Sequence, residues 1–152
     1  MRIVCDANVL VRAACRPSGA ARALVDLLLG EHRLLTSTPL ADELAEILGY
    51  PRVRAMFQVP VEEAVEYATS LWALSELIDV SGPFPRVSSD MDDDAILATA
   101  VNGQADVICT LDRHLRHADV AAFCKPQGIR VLTDAELLAE LRAGQRASSD
   151  PQ

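Results

Sequence analysis

The sequence contains a single lysine, Lys125, and aromatic residues make up only 4% of the chain. An enzyme that depends on a P-loop lysine or a Schiff-base lysine would have to use that one residue. Few aromatic side chains are present to stack on nucleic-acid bases. The formal net charge of −8 argues against a protein that holds nucleic acid through bulk positive charge. It leaves open a protein that concentrates carboxylates around a metal ion.

Zinc-binding cysteine pairs, a signal peptide and membrane-spanning runs are also missing. The four cysteines form no C-x-x-C pair, so neither a zinc knuckle nor a thioredoxin-like site is expected. The apolar N-terminal run is interrupted by Asp6 and Asn8, and it lacks the form of a signal peptide. No apolar run reaches the roughly 18–20 residues of a membrane span. We therefore expect a soluble cytoplasmic protein with free thiols and no membrane partner.

The chain is long enough for one ordinary domain, with 152 residues, 50% hydrophobic and 24% charged residues. We expect this domain to span residues 1–143. The polar residues 144–152 are expected to form a flexible tail.

Short apolar runs alternate with stretches of helical periodicity. The apolar runs predict buried strands at residues 3–5, 34–36, 107–109 and 130–132, with a fifth, weaker run at 77–80. The periodic stretches predict helices at residues 20–29, 39–48, 61–77, 94–101 and 133–141. This alternation predicts an α/β fold, a three-layer α/β/α sandwich with a mostly parallel central sheet.

Acidic residues fall where these elements would bring them to one edge of the sheet. Asp6 directly follows the first strand, and Asp112 comes shortly after the strand at 107–109. Glu43 lies on the helix after the second strand, and the acidic run at 90–94 opens a later helix. Each acid alone could be a turn residue, a helix cap or part of a solvated face. Four acids from four segments at one strand-end edge predict a shared site.

The composition of this acidic set indicates the chemistry. His32, His114 and His117 are expected on the surface, the last two on one short helix, so no histidine set accompanies the acids. A pocket of Asp and Glu alone suits Mg²⁺ or Mn²⁺. Such an ion lowers the pKa of a water and neutralises phosphate oxygens, which indicates phosphoryl chemistry.

Five segments in a fixed order then make a specific resemblance. They are residues 3–10 (IVCDANVL), 38–44 (TPLADEL), 90–98 (DMDDDAILA), 107–112 (VICTLD) and 128–133 (GIRVLT). The sequence resembles PIN-domain proteins, of the kind found as VapC-like toxins in type II toxin–antitoxin pairs. The similarity runs from residue 2 to about residue 140. It implies a PIN-like nuclease domain over residues 1–143.

The resemblance implies a metal-dependent endoribonuclease that hydrolyses single-stranded RNA with one or two Mg²⁺ or Mn²⁺ ions. Its implied partners are a small antitoxin and a second copy of the chain in a homodimer. The implied acidic quartet comprises Asp6, Glu43, Asp94 and Asp112. The implied metal ligands are Asp6, Asp94, Asp112 and Asp93. The resemblance also implies that this set is supported by hydrogen bonds from Asn8 and Thr110. Asp94 is preferred within its run because the apolar residues 95–97 follow it. The roles of Asp90 and Asp92 stay open.

Arginines near the acidic motifs are the candidates for RNA capture. Arg12, expected in a loop after the first strand, and Arg113 adjoin acidic motifs and are the preferred phosphate-binding residues. Further candidates for phosphate binding are Arg16, Arg52, Arg54 and Arg116.

Three other readings remain open. A haloacid-dehalogenase-like phosphatase also places an Asp after its first strand, but Asn8 stands where its general acid would be. A receiver-type signalling domain needs a mid-chain strand-end Asp and a late strand-end Lys. A catalytically silent PIN fold that binds RNA or protein is the third.

Overall fold

The computed structural model describes residues 1–90 and 92–149. The five strands of its sheet are β1 (Arg2–Cys5), β2 (Arg33–Thr36), β3 (Glu76–Leu77), β4 (Val107–Cys109) and β5 (Arg130–Leu132). The α-helices in this part of the chain are α1 (Ala7–Cys15), α2 (Ala20–Glu31), α3 (Thr38–Gly49), α4 (Pro51–Arg54), α5 (Val61–Leu74), α6 (Asp93–Asn102), α7 (Ala118–Cys124) and α8 (Asp134–Ser149).

The strands form one parallel sheet in the order β3-β2-β1-β4-β5. Successive side chains of β1 point to opposite faces, so Ile3 and Cys5 join the core beneath α1, α2, α5 and α8. Val4 joins the second core, beneath α6 and α7. The central strands are therefore buried on both faces, and the expected three-layer α/β/α sandwich with a parallel sheet is confirmed.

Local sequence signals account for several helix starts. Pro39 lies in the first turn of α3, and Pro60 precedes α5, where its fixed φ favours a helix start. Before α8, the Glu136 backbone N–H donates to Thr133 Oγ1 at 3.2 Å, and the Thr133 N–H donates to Glu136 Oε2 at 2.7 Å. This reciprocal pair is the capping box that the sequence predicts.

Several element boundaries differ from the sequence prediction. Helix α1 begins directly after Asp6, so Arg12 lies on a helix and not in a loop. Helix α5 ends at Leu74 because the chain turns into β3, and residues 78–80 lie outside the strand. His114 and His117 share no helix, since α7 begins only at Ala118.

The C-terminal helix is longer than predicted. It continues past residue 141 to Ser149, so residues 144–149 of the expected tail are helical. Residues 150–152 lie outside the described part of the chain. In the described residues, no helix combines the length and the apolar character needed to cross a membrane.

Candidate active site

The carboxyl ends of β1, β4 and β5 are joined in register, and this places the first acid. Cys5 pairs with Cys109, and Cys109 pairs with Leu132. One residue further on, the Asp6 N–H donates to the Cys109 carbonyl at 2.9 Å. Asp6 and Thr110 therefore leave their strands side by side at one edge of the sheet.

Asp6 is 7% exposed, and both of its carboxylate oxygens accept hydrogen bonds. Thr110 Oγ1 donates to Oδ2 at 2.6 Å, and the Asn8 backbone N–H donates to Oδ1 at 3.0 Å. The Asn8 side chain is exposed and makes neither contact. Thr110 Oγ1 also accepts from the Asp112 N–H at 2.9 Å. The fully buried Thr110 thus fixes the Asp6 carboxylate and the start of the Asp112 loop together.

Asp93 is the buried carboxylate of the acidic run at the start of α6. Asp93 is 8% exposed, and its Oδ2 accepts from Ser88 Oγ at 2.7 Å. Burial raises the pKa of Asp93, the Ser88 hydrogen bond lowers it, and the neighbouring charges of Asp112 and Asp90 raise it. Asp93 therefore lies within electrostatic reach of Asp112.

Asp94 faces the preceding loop. Its Oδ1 accepts from the backbone N–H groups of Val87 at 3.3 Å and Ser88 at 3.4 Å. We therefore place Asp93 in the candidate acidic set at the position for which the sequence predicts Asp94. Asp93 is buried with Ile96, Leu97 and Ala100, which lie three, four and seven positions further along α6, and Ala98 and Thr99 are buried as well. Asp92 is exposed, and Met91 lies outside the described residues.

Glu43 completes the acidic set from α3. Burial and then the charges of Asp6, Asp92 and Asp93 raise the pKa of Glu43 from 4.5 to about 7. The carboxylates of Asp6, Asp92 and Asp93 are therefore electrostatic neighbours of Glu43. Four segments bring Asp6, Glu43, Asp93 and Asp112 to the same edge of the sheet.

The raised pKa of Glu43 predicts how the metal-free protein responds to pH. Folding raises this pKa from 4.5 to about 7, so the folded state binds the proton more tightly than the unfolded state. The stabilisation is present below about pH 4.5 and is lost as the pH rises through about 7. After allowance for solvent screening at this half-buried group, we expect a loss of about 1–2 kcal/mol.

Chemical denaturation of metal-free wild type and Glu43→Gln between pH 5 and pH 8 measures this loss. The free energy of unfolding of Glu43→Gln is expected to rise relative to that of the wild type as the pH rises. The exposed Glu66→Gln is expected to show the same pH dependence of stability as the wild type. A constant difference between wild type and Glu43→Gln across the range would contradict the electrostatic account.

The chemistry of the donor set fits a hard cation, although its carboxylates are not already gathered around a common point. Within residues 1–90 and 92–149, no three His, Cys, Asp or Glu side chains form a preassembled metal-binding group. The converging groups are nonetheless all carboxylates, which Mg²⁺ and Mn²⁺ prefer. A bound cation would relieve the charge repulsion that contributes to the raised pKa values of Glu43 and Asp93.

The two arginines preferred for RNA capture are placed differently. The Arg12 guanidinium lies 3.1 Å from the carboxylate of Asp134 at the start of α8, and Asp134 is 4% exposed. Sequence reasoning missed Asp134, which reads as an ordinary residue of the helix start. Arg113 is exposed beside Asp112. Arg12 is engaged in the ion pair with Asp134, although 41% of its side chain stays exposed.

Comparison with known protein families identifies the architecture. A family model described as PIN domain matches residues 2–114, which include all four converging acids. The chain belongs to the PIN domain family. PIN domains are generally nucleases, and they typically use divalent metal ions. Membership in the PIN domain family replaces the interpretations of the chain as a haloacid-dehalogenase-like phosphatase or as a receiver-type signalling domain. A comparison with curated proteins found no match.

Proposed function

We propose that this PIN domain is a divalent-metal-dependent endoribonuclease that hydrolyses phosphodiester bonds in single-stranded RNA. The observation that supports the proposal is the convergence of Asp6, Glu43, Asp93 and Asp112 from four segments at one edge of the sheet. Burial first, and then the charges of neighbouring carboxylates, raise the pKa values of Glu43 and Asp93. Family membership adds the expectation of nuclease chemistry.

Asp6, Asp93 and Asp112 would hold one or two Mg²⁺ or Mn²⁺ ions. When bound, such an ion supplies positive charge against the phosphate oxygens and lowers the pKa of water. Thr110 orients Asp6 through its 2.6 Å hydrogen bond, and Ser88 orients Asp93 through its 2.7 Å hydrogen bond. Both supporting hydroxyls belong to buried residues, so the carboxylates are held before substrate arrives.

Glu43 is suited to accept the proton of the attacking water. A general base works best when its pKa lies near the working pH, and in the metal-free protein that of Glu43 is raised to about 7. Arg113 is exposed beside Asp112 and would bind a phosphate of the strand.

We further propose that the enzyme is the toxin of a toxin–antitoxin pair and forms a homodimer. Support for a protein partner comes from an apolar groove between α3 and α5, lined by Leu44, Leu48, Val65 and Trp72, with a volume of about 310 Å³. Val65 is 45% exposed and Trp72 is 39% exposed. Growth arrest on expression, relieved by the product of a short reading frame directly upstream, is the expected result. Growth unaffected by expression would contradict the toxin role.

A cleavage assay tests the nuclease proposal. With Mg²⁺ or Mn²⁺ present, we expect the protein to cut single-stranded RNA and to leave duplex RNA and single-stranded DNA largely intact. A chelator is expected to stop the reaction, and excess metal to restore it. Cleavage that survives chelation, or equal cleavage of DNA, would contradict the proposal.

A further inference from the structure

A polar cleft opens beside Glu43, between α3, α4 and the start of α6. Its volume is about 570 Å³, within the usual range for small-ligand sites. The charged and aromatic residues that line it are Asp42, Glu43, Glu46, Tyr50, Arg52 and Asp92. Because Glu43 belongs both to the acidic set and to the wall of this cleft, a strand bound at the acids would continue into it.

Tyr50 is the aromatic side chain on the wall of this cleft. The chain has one Trp, two Tyr and three Phe residues. Tyr67 is covered by Arg22, whose guanidinium carbon lies 3.5 Å from the ring centroid. Phe84 and Phe123 pack edge to face against each other, while Phe57 packs against the core. Trp72 lines the apolar groove between α3 and α5. Tyr50 is therefore the ring best placed to stack on a base near the acids.

Arg52 supplies positive charge to the same cleft. Its side chain is exposed, and its guanidinium carbon lies 5.7 Å from the Tyr50 ring centroid. This separation is larger than the 3.5 Å between Arg22 and Tyr67, so Arg52 does not cover the ring closely. Among the residues described, Arg52 has no carboxylate within ion-pair distance. Its guanidinium is thus available to a phosphate.

Glu46 adds a hydrogen-bond acceptor with a fixed position. The Tyr50 hydroxyl donates to Glu46 Oε1 at 2.8 Å, which holds the carboxylate beside the ring. Oε2 remains as an acceptor, and Asp42, Glu43 and Asp92 also contribute carboxylates to the wall. Ionised carboxylates accept hydrogen bonds but donate none, so they favour a base that carries an amino group.

We propose that this cleft binds one nucleotide of the substrate strand adjacent to the cleaved bond, with its base stacked on Tyr50 and its phosphate on Arg52. Glu46 accepts from the exocyclic amine of the base and therefore selects cytidine over uridine. This inference rests on the proposed ribonuclease activity and adds a specificity site to it.

Oligouridylates that carry one cytidine at successive positions test the site directly. In wild type, we expect the cleavage position to move with the cytidine, at a fixed offset. We expect kcat/KM to exceed that of the all-uridine strand by roughly 5–100-fold, the discrimination typical of one specific base contact. Tyr50→Phe keeps the ring but frees Glu46, so it is expected to slow the cytidine strand toward the uridine rate.

Two further variants separate stacking and charge from recognition. Tyr50→Ala is expected to lower kcat/KM for both strands by roughly 5–100-fold, because stacking is lost. Arg52→Gln is expected to raise KM for both strands and to weaken the salt dependence of binding. Tyr67→Phe removes a hydroxyl that donates to Asp26 outside the cleft, and it is expected to behave as wild type.

The outcomes distinguish this inference from the ribonuclease proposal. Equal cleavage of all strands by wild type would overturn the specificity site and leave the ribonuclease activity standing. A cytidine preference that survives in Tyr50→Phe would overturn the role of Glu46 and Tyr50. Absence of cleavage of every strand by wild type would overturn both.

Discussion

Replacing Asp93 by Asn is expected to lower RNA cleavage by more than about 100-fold, since even outer partners of metal ligands are worth about 10–100-fold. The substitution removes one negative charge where Asp112 and Glu43 are close. The amide oxygen can still accept from Ser88 Oγ, which now donates to Asp93 Oδ2 at 2.7 Å, so the fold is expected to persist. Cleavage of a labelled single-stranded RNA under saturating Mg²⁺ or Mn²⁺ measures the effect.

Asp94→Asn is the matched control, one residue along the same helix. Its side chain accepts only long backbone hydrogen bonds, at 3.3 and 3.4 Å, and an amide oxygen can accept them too. We expect cleavage close to that of the wild type. Loss of cleavage in Asp94→Asn with activity kept in Asp93→Asn would contradict the placement of Asp93 in the site.

Divalent metal is expected to stabilise the folded protein by a large amount. A ligand that binds only the folded state at 100 times its Kd contributes about 2.7 kcal/mol. For a domain of this length, that corresponds to a rise in Tm of roughly 5–10 °C. Thermal unfolding with Mn²⁺ and with Mg²⁺, each against chelator, measures the shift without any cleavage assay.

Asp6→Asn is expected to abolish most of this rise in Tm, because it removes the charge of a carboxylate fixed by Thr110 at the centre of the acidic set. Asp94→Asn is expected to keep the rise. An equal rise in wild type and Asp6→Asn would place the metal elsewhere.

The sequence was sufficient to predict the sheet edge where these acids meet. Residues 3–5, 107–109 and 130–132 have the continuous apolar character of strands buried on both faces, and the structure places them in adjacent parallel strands. The polar residue that follows each strand therefore falls at the same edge. This inference needs only the strand ends and the parallel arrangement, both of which are local or topological features.

The choice within the acidic run required the orientation of α6. Three consecutive carboxylates leave the helix register ambiguous, and the apolar residues at 95–97 directed the prediction to Asp94. In the structure, residues 96–100 are all buried, so helical periodicity alone does not choose between Asp93 and Asp94. The choice of Asp93 therefore depends on tertiary contacts, namely its burial and its hydrogen bond from Ser88.

Contacts between segments that are distant along the chain could not be predicted from any local pattern in the sequence. The pairing of Arg12 with Asp134 joins α1 to α8 across the fold, and no local pattern indicates it. Helix α1 was missed because the apolar residues before and after Asp6 read as one continuous run. The cleft with Tyr50 and Arg52 depends on how α3 and α4 pack beside α6, which is a tertiary property.

A crystal structure of the protein with Mn²⁺, located by its anomalous scattering, tests the central claim most directly. We expect a Mn²⁺ peak in contact with the carboxylates of Asp6 and Asp93, with Asp112 on the same or a second ion. The Asp94 carboxylate is expected to keep accepting hydrogen bonds from the backbone N–H groups of Val87 and Ser88. A Mn²⁺ peak on Asp94, or none at the acidic edge of the sheet, would contradict the account.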